Sequence, residues 1–447
     1  MIFLLILIAT NVFLLSRIIF FPYPELFIYP YLTNHGLIPY KNIFDQHFPG
    51  LMFFPINLNN LGMVTPEIAR YWQYGLVIII QILLFFIARK IFNSSKKAIL
   101  VNLIFLAWQP FFEGWVLWID SFLPLFLLPA FYFSYEAWKK GKAKNIFLAG
   151  LFLGIGLVFK QVVAPLAAVV FILLFLRKRN VKDALWFLIG FLPFPLLMLE
   201  YIFSKGVFAD FWYWTVIFNL TTFAQYGKLA PTFSELFRVS SVYGFSIFAL
   251  INKKSRSLAV WISIFALGAL FSSNARFDFV HFQPSLPFIC LLTVMALEFC
   301  WRKAKFLIPI YIIGSSIFLF TFYKGNLGNK VFFFGDSEKR IVVEVQKLSD
   351  PNDKIFTLGT LPHIYQMADR LPPGNVFVFQ FPWFMMKAED RVLAGLINDP
   401  PRVVIRDLTA EVDDKNMVSF MPKINDYVNE NYKVIDKIDS TEIMIKK

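Results

Sequence analysis

Between residues 22 and 72 the chain places Glu25, His35, Lys41, Asp45, His47, Glu67 and Arg70 in a segment otherwise rich in Phe, Tyr, Leu and Pro. Ionisable groups held among apolar side chains are costly unless they are paired or used. The bland alternative for each is a solvated loop charge without a role. The aromatic surroundings argue instead for a segment folded onto an apolar surface, which favours Glu25 and Asp45 as working groups. A carboxylate in that setting is a natural base toward an acceptor hydroxyl or amine. Cations stand in similar isolation further on. Lys160 and Gln161 interrupt "GIGLVFKQVVAPLAAVV", and Arg276, Asp278 and His281 lie together in "SSNARFDFVHFQPSLP". Arginine suits bidentate contact with phosphate, whereas a lysine at such a boundary can also snorkel for structural reasons alone. Asp120, in "WVLWIDSFLP", opens an apolar run, where an aspartate often caps its helix.

The elements that must hold these groups are membrane helices. Hydrophobic residues make up 57% of the 447 residues and charged residues 16%, where an ordinary soluble domain is about a quarter charged. The first apolar run, Met1 to about Phe21, has no basic flank and is followed by Phe-Pro-Tyr-Pro rather than a small-residue cleavage site, so it reads as a retained span. Apolar runs near 2–21, 73–88, 98–112, 120–137, 146–159, 162–176, 184–203, 237–252, 258–272, 283–300 and 306–322 predict about eleven transmembrane helices.

The charge distribution orients them. Clusters such as Arg89/Lys90/Lys96/Lys97, Lys139/Lys140/Lys142/Lys144, Arg177/Lys178/Arg179/Lys182, Lys253/Lys254/Arg256 and Arg302/Lys303/Lys305 follow every even-numbered run, and the odd loops are nearly free of them. The positive-inside rule then puts the N-terminus in the cytoplasm and the odd loops, including 22–72, outside. This alternation accounts for the net charge of +13 and argues against a nucleic-acid partner. Cys290 and Cys300 share one apolar run and do not form a disulfide framework.

From about Lys324 charge rises and apolar runs shorten. "KIFTL", "VFVF" and "RVVIR" read as strands and "SEKRIVVEVQKLSD" as a helix. The expectation is a mainly α polytopic bundle over 1–323 and a small extracytoplasmic α/β domain over 324–447. There is no Walker loop, dinucleotide fingerprint, HExxH or GxSxG, which removes the common soluble-nucleotide and hydrolase chemistries. The outward face nevertheless collects carboxylates and cations at headgroup depth, where the natural anionic ligand is a lipid phosphate.

At these residues the sequence resembles the GT-C superfamily of membrane glycosyltransferases, which includes protein O-mannosyltransferases and the aminoarabinose transferases of lipid A. The family pattern "G-x-x-P-Y-x-x-x-x-D" is matched by Gly36, Pro39, Tyr40 and Asp45, with "HFPG" following. "LAGLFLGIGLVFKQ" (148–161) resembles a glycine-rich stretch ending in lysine, and "RFDFVHFQPSLP" (276–287) resembles a pattern with arginine, histidine and proline. "DKIFTLGTLPHIYQMADRLPP" resembles the strand-and-loop segment of bacterial periplasmic domains. The resemblance covers most of the chain and rests on the order of individually short motifs.

The resemblance implies a hexosyl- or pentosyltransferase that moves a sugar, with inversion, from an undecaprenyl- or dolichyl-type polyprenyl phosphate to a protein, lipid or glycan acceptor on the outer face of the cytoplasmic membrane. Glu25 falls near the family's first-loop acid and is the candidate base, with Asp45 as second carboxylate. Many relatives carry Asp or Asp-Glu where Pro24–Glu25 stands here, so the choice between the two stays open. Lys160, Gln161, Arg276 and His281 are the candidate ligands of the donor phosphate, and His47 and Asp120 the candidates for acceptor binding or support. No cofactor is implied; some relatives use a divalent cation, and no ligand cluster in the sequence decides for or against one. Two other classes compete: a transporter or flippase of lipid-linked glycans, which would place its ionisable groups nearer the bilayer midplane, and an inactive glycan-binding scaffold, which would have lost the first-loop acids.

Overall fold

The structure, a computed structural model, describes residues 1–328, 330–359 and 361–447, with Lys178 described through its backbone alone. Among the described residues the chain forms 20 α-helices. It divides into two compact units, each discontinuous in sequence: residues 1–21, 67–199 and 229–330, and residues 22–66, 200–228 and 331–447. The segment 22–66 thus falls with the C-terminal residues rather than with the helices it interrupts.

The first unit is a helical bundle whose most enclosed member is Leu286–Lys303, buried from Leu286 through Ala296 and packed on Ser95–Trp108 and Arg256–Ala269. Its tightest contact joins Ala143–Phe159 to Val181–Phe191. Gly150 and Gly154 form a G-x-x-x-G face there, and a Cβ at either would run into the backbone of Phe187 or Phe191; Gly190 meets the carbonyl of Phe147 in return. Small residues at this spacing let two helices approach backbone to backbone, the packing available in lipid where apolar burial offers little drive. At the other extreme, Leu307–Asn326 buries no residue at all. A helix that is apolar all round and uncovered is suited to lipid and not to water.

The predicted eleven spans are not reproduced as eleven long helices. By length and composition, two helices can cross a membrane, Pro66–Phe92 and Leu307–Asn326, and a third span results if Val181–Phe191 and Pro193–Ser204, bent by 45°, count as one. Ile2–Arg17, Ala143–Phe159 and Arg256–Ala269 are apolar but shorter. The physical reason is interruption. Pro193 and Pro195 remove backbone donors and break the run predicted at 184–203. The run at 98–112 leaves the α-helix at Trp108 for a distorted turn, Pro110–Gly114, and the run at 237–252 tightens into a 3-10 segment, Gly244–Leu250.

In the second unit a four-stranded sheet runs in the order Ile355–Leu358, Val403–Arg406, Thr441–Lys446, Tyr432–Ile438. The first pair is parallel and the other two are antiparallel. Both strands of the parallel pair are buried throughout, as their mainly apolar sequences favour. The segment "SEKRIVVEVQKLSD" forms the helix Asp336–Leu348, whose Ile341, Val342 and Val345 face inward. "VFVF" does not join the sheet. Only Phe377–Val378 is extended, and it pairs in parallel with Ile43–Phe44. The edge beside Thr357 is instead closed by the Gln380 side chain, which accepts from Gly359 N–H at 2.7 Å and donates to the Thr357 carbonyl at 2.6 Å. One side-chain amide thereby stands in for the peptide of a missing neighbour strand.

Candidate functional site

The residues singled out in sequence fall into two clusters, one in each unit. In the second unit, Glu25 opens the helix Glu25–Asn34, and Asp45 follows the extended pair Ile43–Phe44. The segment 22–66 is thus partly helical and largely buried.

Asp45 is 2% exposed and fully engaged. Its Oδ1 accepts from the Tyr29 hydroxyl at 3.4 Å and lies 3.0 Å from His47 Nδ1, and its Oδ2 accepts from the His47 backbone N–H at 3.1 Å. Tyr40, in the left-handed region at φ 65°, donates its hydroxyl to the His47 carbonyl at 2.9 Å and so fixes the turn that carries both residues. The sequence reading named Tyr40 only as part of a motif and did not single out Tyr29. Burial, with the Asp45 carboxylate beside it, pushes the Tyr29 hydroxyl well above its usual range and keeps it a donor.

Glu25 is in a different state. It is 6% exposed, and its Oε2 is buried without a hydrogen-bond partner. Burial, only partly offset by a backbone hydrogen bond and reinforced by the Asp45 charge, pushes its carboxyl up to about 8. At neutral pH Glu25 is therefore mostly protonated, a donor rather than a base. Asp45 with its partners and Glu25 without one for Oε2 are thereby suited to different roles.

The helix Glu25–Asn34 is anchored within its own unit by distant sequence. The Tyr31 hydroxyl donates to Asp369 at 2.9 Å, and Phe27 packs on Phe334 with centroids 4.9 Å apart. Phe44 stacks on Trp214 at 4.9 Å, and the Arg391 guanidinium lies 4.6 Å from the Phe44 centroid.

In the first unit, Asp120, Lys160 and His281 form one buried triad. Asp120 Oδ2 accepts from Lys160 Nζ at 2.5 Å and from His281 Nδ1 at 3.1 Å, and Lys160 Nζ lies 3.4 Å from the same imidazole nitrogen. Asp120 is wholly buried and Lys160 is 4% exposed. Asp120 caps no helix: the short helix Ile119–Phe122 has Trp118 at its N-cap. Nor does Lys160 snorkel. It ends the helix Ala143–Phe159 in extended conformation and turns inward, with Gln161 next in the following turn.

The same short segment carries a second set of charges. Arg276 Nε lies 3.9 Å from Asp278 Oδ2. Asp278 also hydrogen-bonds Glu113, whose carboxyl is pushed well above the usual range first by burial and then by that neighbour. Glu113 sits at φ 54° in the distorted turn Pro110–Gly114. That turn is held by amides: Gln73 donates to the Gly114 carbonyl at 2.6 Å, Gln109 to the same oxygen at 3.1 Å, and Gln283 to the Phe112 carbonyl. Sequence reasoning missed Glu113. The available signal was its isolation, a lone acid in "QPFFEGW" between apolar runs, the same signal that drew attention to Asp120. Among the described residues no group of three or more His, Cys, Asp and Glu side chains is arranged to hold a metal ion.

Interrupted apolar helices with a buried ionic triad at a helix end are features of a polytopic membrane protein. Comparisons with known proteins agree. Residues 57–203 match the family model for dolichyl-phosphate-mannose-protein mannosyltransferase. The structure is similar to that of ArnT from Cupriavidus metallidurans bound to undecaprenyl phosphate, with TM-score 0.62, 11% identity, and 99% of this chain and 97% of that one covered. The apo form of that protein gives TM-score 0.63 at 11% identity over 98% and 97% of the two chains. The Archaeoglobus fulgidus oligosaccharyltransferase tethered to an acceptor peptide gives TM-score 0.54 at 11% identity over 96% and 72%. No curated protein sequence matches the chain. The chain thus shares the fold of these solved GT-C structures.

Proposed function

We propose that the protein is an inverting glycosyltransferase that moves a sugar from a polyprenyl phosphate to an acceptor at the outer face of the cytoplasmic membrane. The observation that carries this reading is a pair of buried carboxyl groups, Asp45 fully hydrogen-bonded and Glu25 held protonated, in a chain whose fold is that of a protein bound to undecaprenyl phosphate. Asp45 serves as base, taking the proton from the acceptor hydroxyl or amine as that atom attacks the anomeric carbon. The bond from that carbon to the phosphate oxygen breaks, and its electron pair leaves on the phosphate. His47 and Tyr29 orient Asp45, and Glu25 supplies a neutral hydrogen-bond donor. Lys160, His281, Arg276 and Gln161 are the ligands of the departing lipid phosphate. Asp120 supports this set by pairing with Lys160 and holding it in place.

The topology proposed with this reading has a cytoplasmic N-terminus, about eleven membrane passages counting the short and bent helices, and residues 324–447 as an extracytoplasmic domain after a membrane domain of 1–323. Partners are the lipid-linked sugar, a protein, lipid or glycan acceptor, and membrane lipids. The test is transfer in proteoliposomes supplied with a panel of radiolabelled undecaprenyl- and dolichyl-phosphate sugars. The expected result is release of polyprenyl phosphate with label moving to acceptor, slowed roughly 10²–10⁴-fold by Asp45→Asn. Lipid-linked sugar crossing the bilayer without cleavage would overturn the reading in favour of transport.

A further inference from the structure

A cleft of about 330 Å³ opens in the first unit, lined by none of the residues assigned a role above. Its walls are apolar: Trp138, Leu173, Val260, Trp261 and Ile264, contributed by the three mutually packed helices Pro124–Lys140, Val163–Lys178 and Arg256–Ala269. Trp138 and Trp261 lie against each other with ring centroids 5.6 Å apart. Arg256 stands at one end of the cleft as the first residue of its helix. Its guanidinium is exposed, and among the described residues no carboxylate pairs with it.

The charge around that end is one-sided. The two neighbouring helices both finish there in basic residues, and Arg177 donates to the carbonyl of Lys139 across them. Lys253 and Lys254 precede Arg256 and are exposed, with no partner among the described residues. The acid nearest in sequence to the Trp138 wall, Glu136, is already paired with Lys140. The first amides of Arg256–Ala269 add the positive end of a helix dipole to the unpaired guanidinium.

We infer that this cleft is a structural site for an anionic membrane phospholipid, with one acyl chain between Trp138, Val260 and Trp261 and the phosphate on Arg256. An apolar slot of this size closed at one end by an unpaired cation fits a molecule that is hydrocarbon at one end and anionic at the other. Basic pockets between membrane helices on the cytoplasmic side recognise acidic headgroups, and tryptophans favour the same depth. A soluble phosphate would satisfy Arg256 and leave the slot empty, so the occupant is the lipid. The inference requires only that the chain lies in a membrane, and it stands independently of the transfer reaction.

The experiment places the full chain in neutral detergent micelles and measures binding of a fluorescent phosphatidylglycerol, with phosphatidylcholine and inorganic phosphate as competitors. Unlabelled phosphatidylglycerol is expected to displace the probe, and the other two are not. Arg256→Gln should weaken binding about fivefold, the effect of one cation near an anionic surface. Val260→Trp, which fills the slot from an exposed position and keeps the charge, should abolish it. Binding by either variant equal to that of the unmodified protein, or displacement by inorganic phosphate, overturns the proposal. Thermal unfolding of each variant without lipid confirms that both remain folded.

Discussion

Asp120 Oδ2 and Lys160 Nζ meet at 2.5 Å although they lie 40 positions apart, and neither side chain is more than 5% exposed. A buried pair of this kind adds little net stability over an apolar pair, yet removing one partner strands a charge in a low dielectric. Lys160→Met is expected to destabilise the protein by about 3–5 kcal/mol. Adding Asp120→Asn should recover most of that loss, because the stranded charge is gone. Thermal unfolding in detergent over this double-mutant cycle measures both numbers. Equal loss in the single and double variants would show that the pair is not coupled.

Asp45 and Glu25 should separate in kinetics. Asp45→Asn removes the proton acceptor and is expected to lower kcat by roughly 10²–10⁴, the usual share of general base catalysis. Glu25→Gln keeps a neutral donor of the same shape, so its loss should be about tenfold or less. Both are read from initial rates of label transfer at saturating donor. The opposite ranking would move the base to Glu25.

Glu25 also makes stability depend on pH. Its carboxyl is pushed to about 8 in the folded protein from an ordinary 4.5, so between those values the folded state binds the extra proton. Stability is then fully present below pH 4.5 and falls as pH rises to about 8, by an amount on the order of a few kcal/mol. Glu25→Gln should flatten this slope and be the more stable form at pH 9 and above. Melting temperatures across the range, compared between the two proteins, decide the point.

Two glycines in apolar helices predict opposite outcomes. Gly154→Ala pushes a methyl into the Phe191 carbonyl and should separate the two helices, at a loss of about 1–3 kcal/mol or more. Gly75→Ala has no atom within 4 Å and lies inside Pro66–Phe92, so it should be neutral or stabilising by roughly 0.5–1 kcal/mol. Urea or thermal unfolding of both variants in one detergent provides the comparison.

What the sequence disclosed depended on whether the signal was local. Lys160 and Asp45 were legible because an ionisable residue among apolar ones is expensive wherever it lies. The strands Ile355–Leu358 and Val403–Arg406 were legible from mainly apolar composition. Partners were not. Nothing near Lys160 announces Asp120 as its counter-ion, and a capping role for Asp120 was the better local guess. Glu25 and Asp45 looked equivalent because the hydrogen-bond partners that divide them are set only in the assembled unit. Apolar runs overstated the long spans because hydropathy does not register where prolines and tight turns interrupt a helix.

The carboxylates near the start of the chain are fixed by residues close to its end: Tyr31 reaches Asp369 across 338 positions, and Ile43–Phe44 pairs with Phe377–Val378. During synthesis the ribosome therefore delivers this segment long before the residues that set it. A nascent or prematurely terminated chain can insert its helices while this segment remains unformed. The contacts that fix it arrive only with the last quarter of translation.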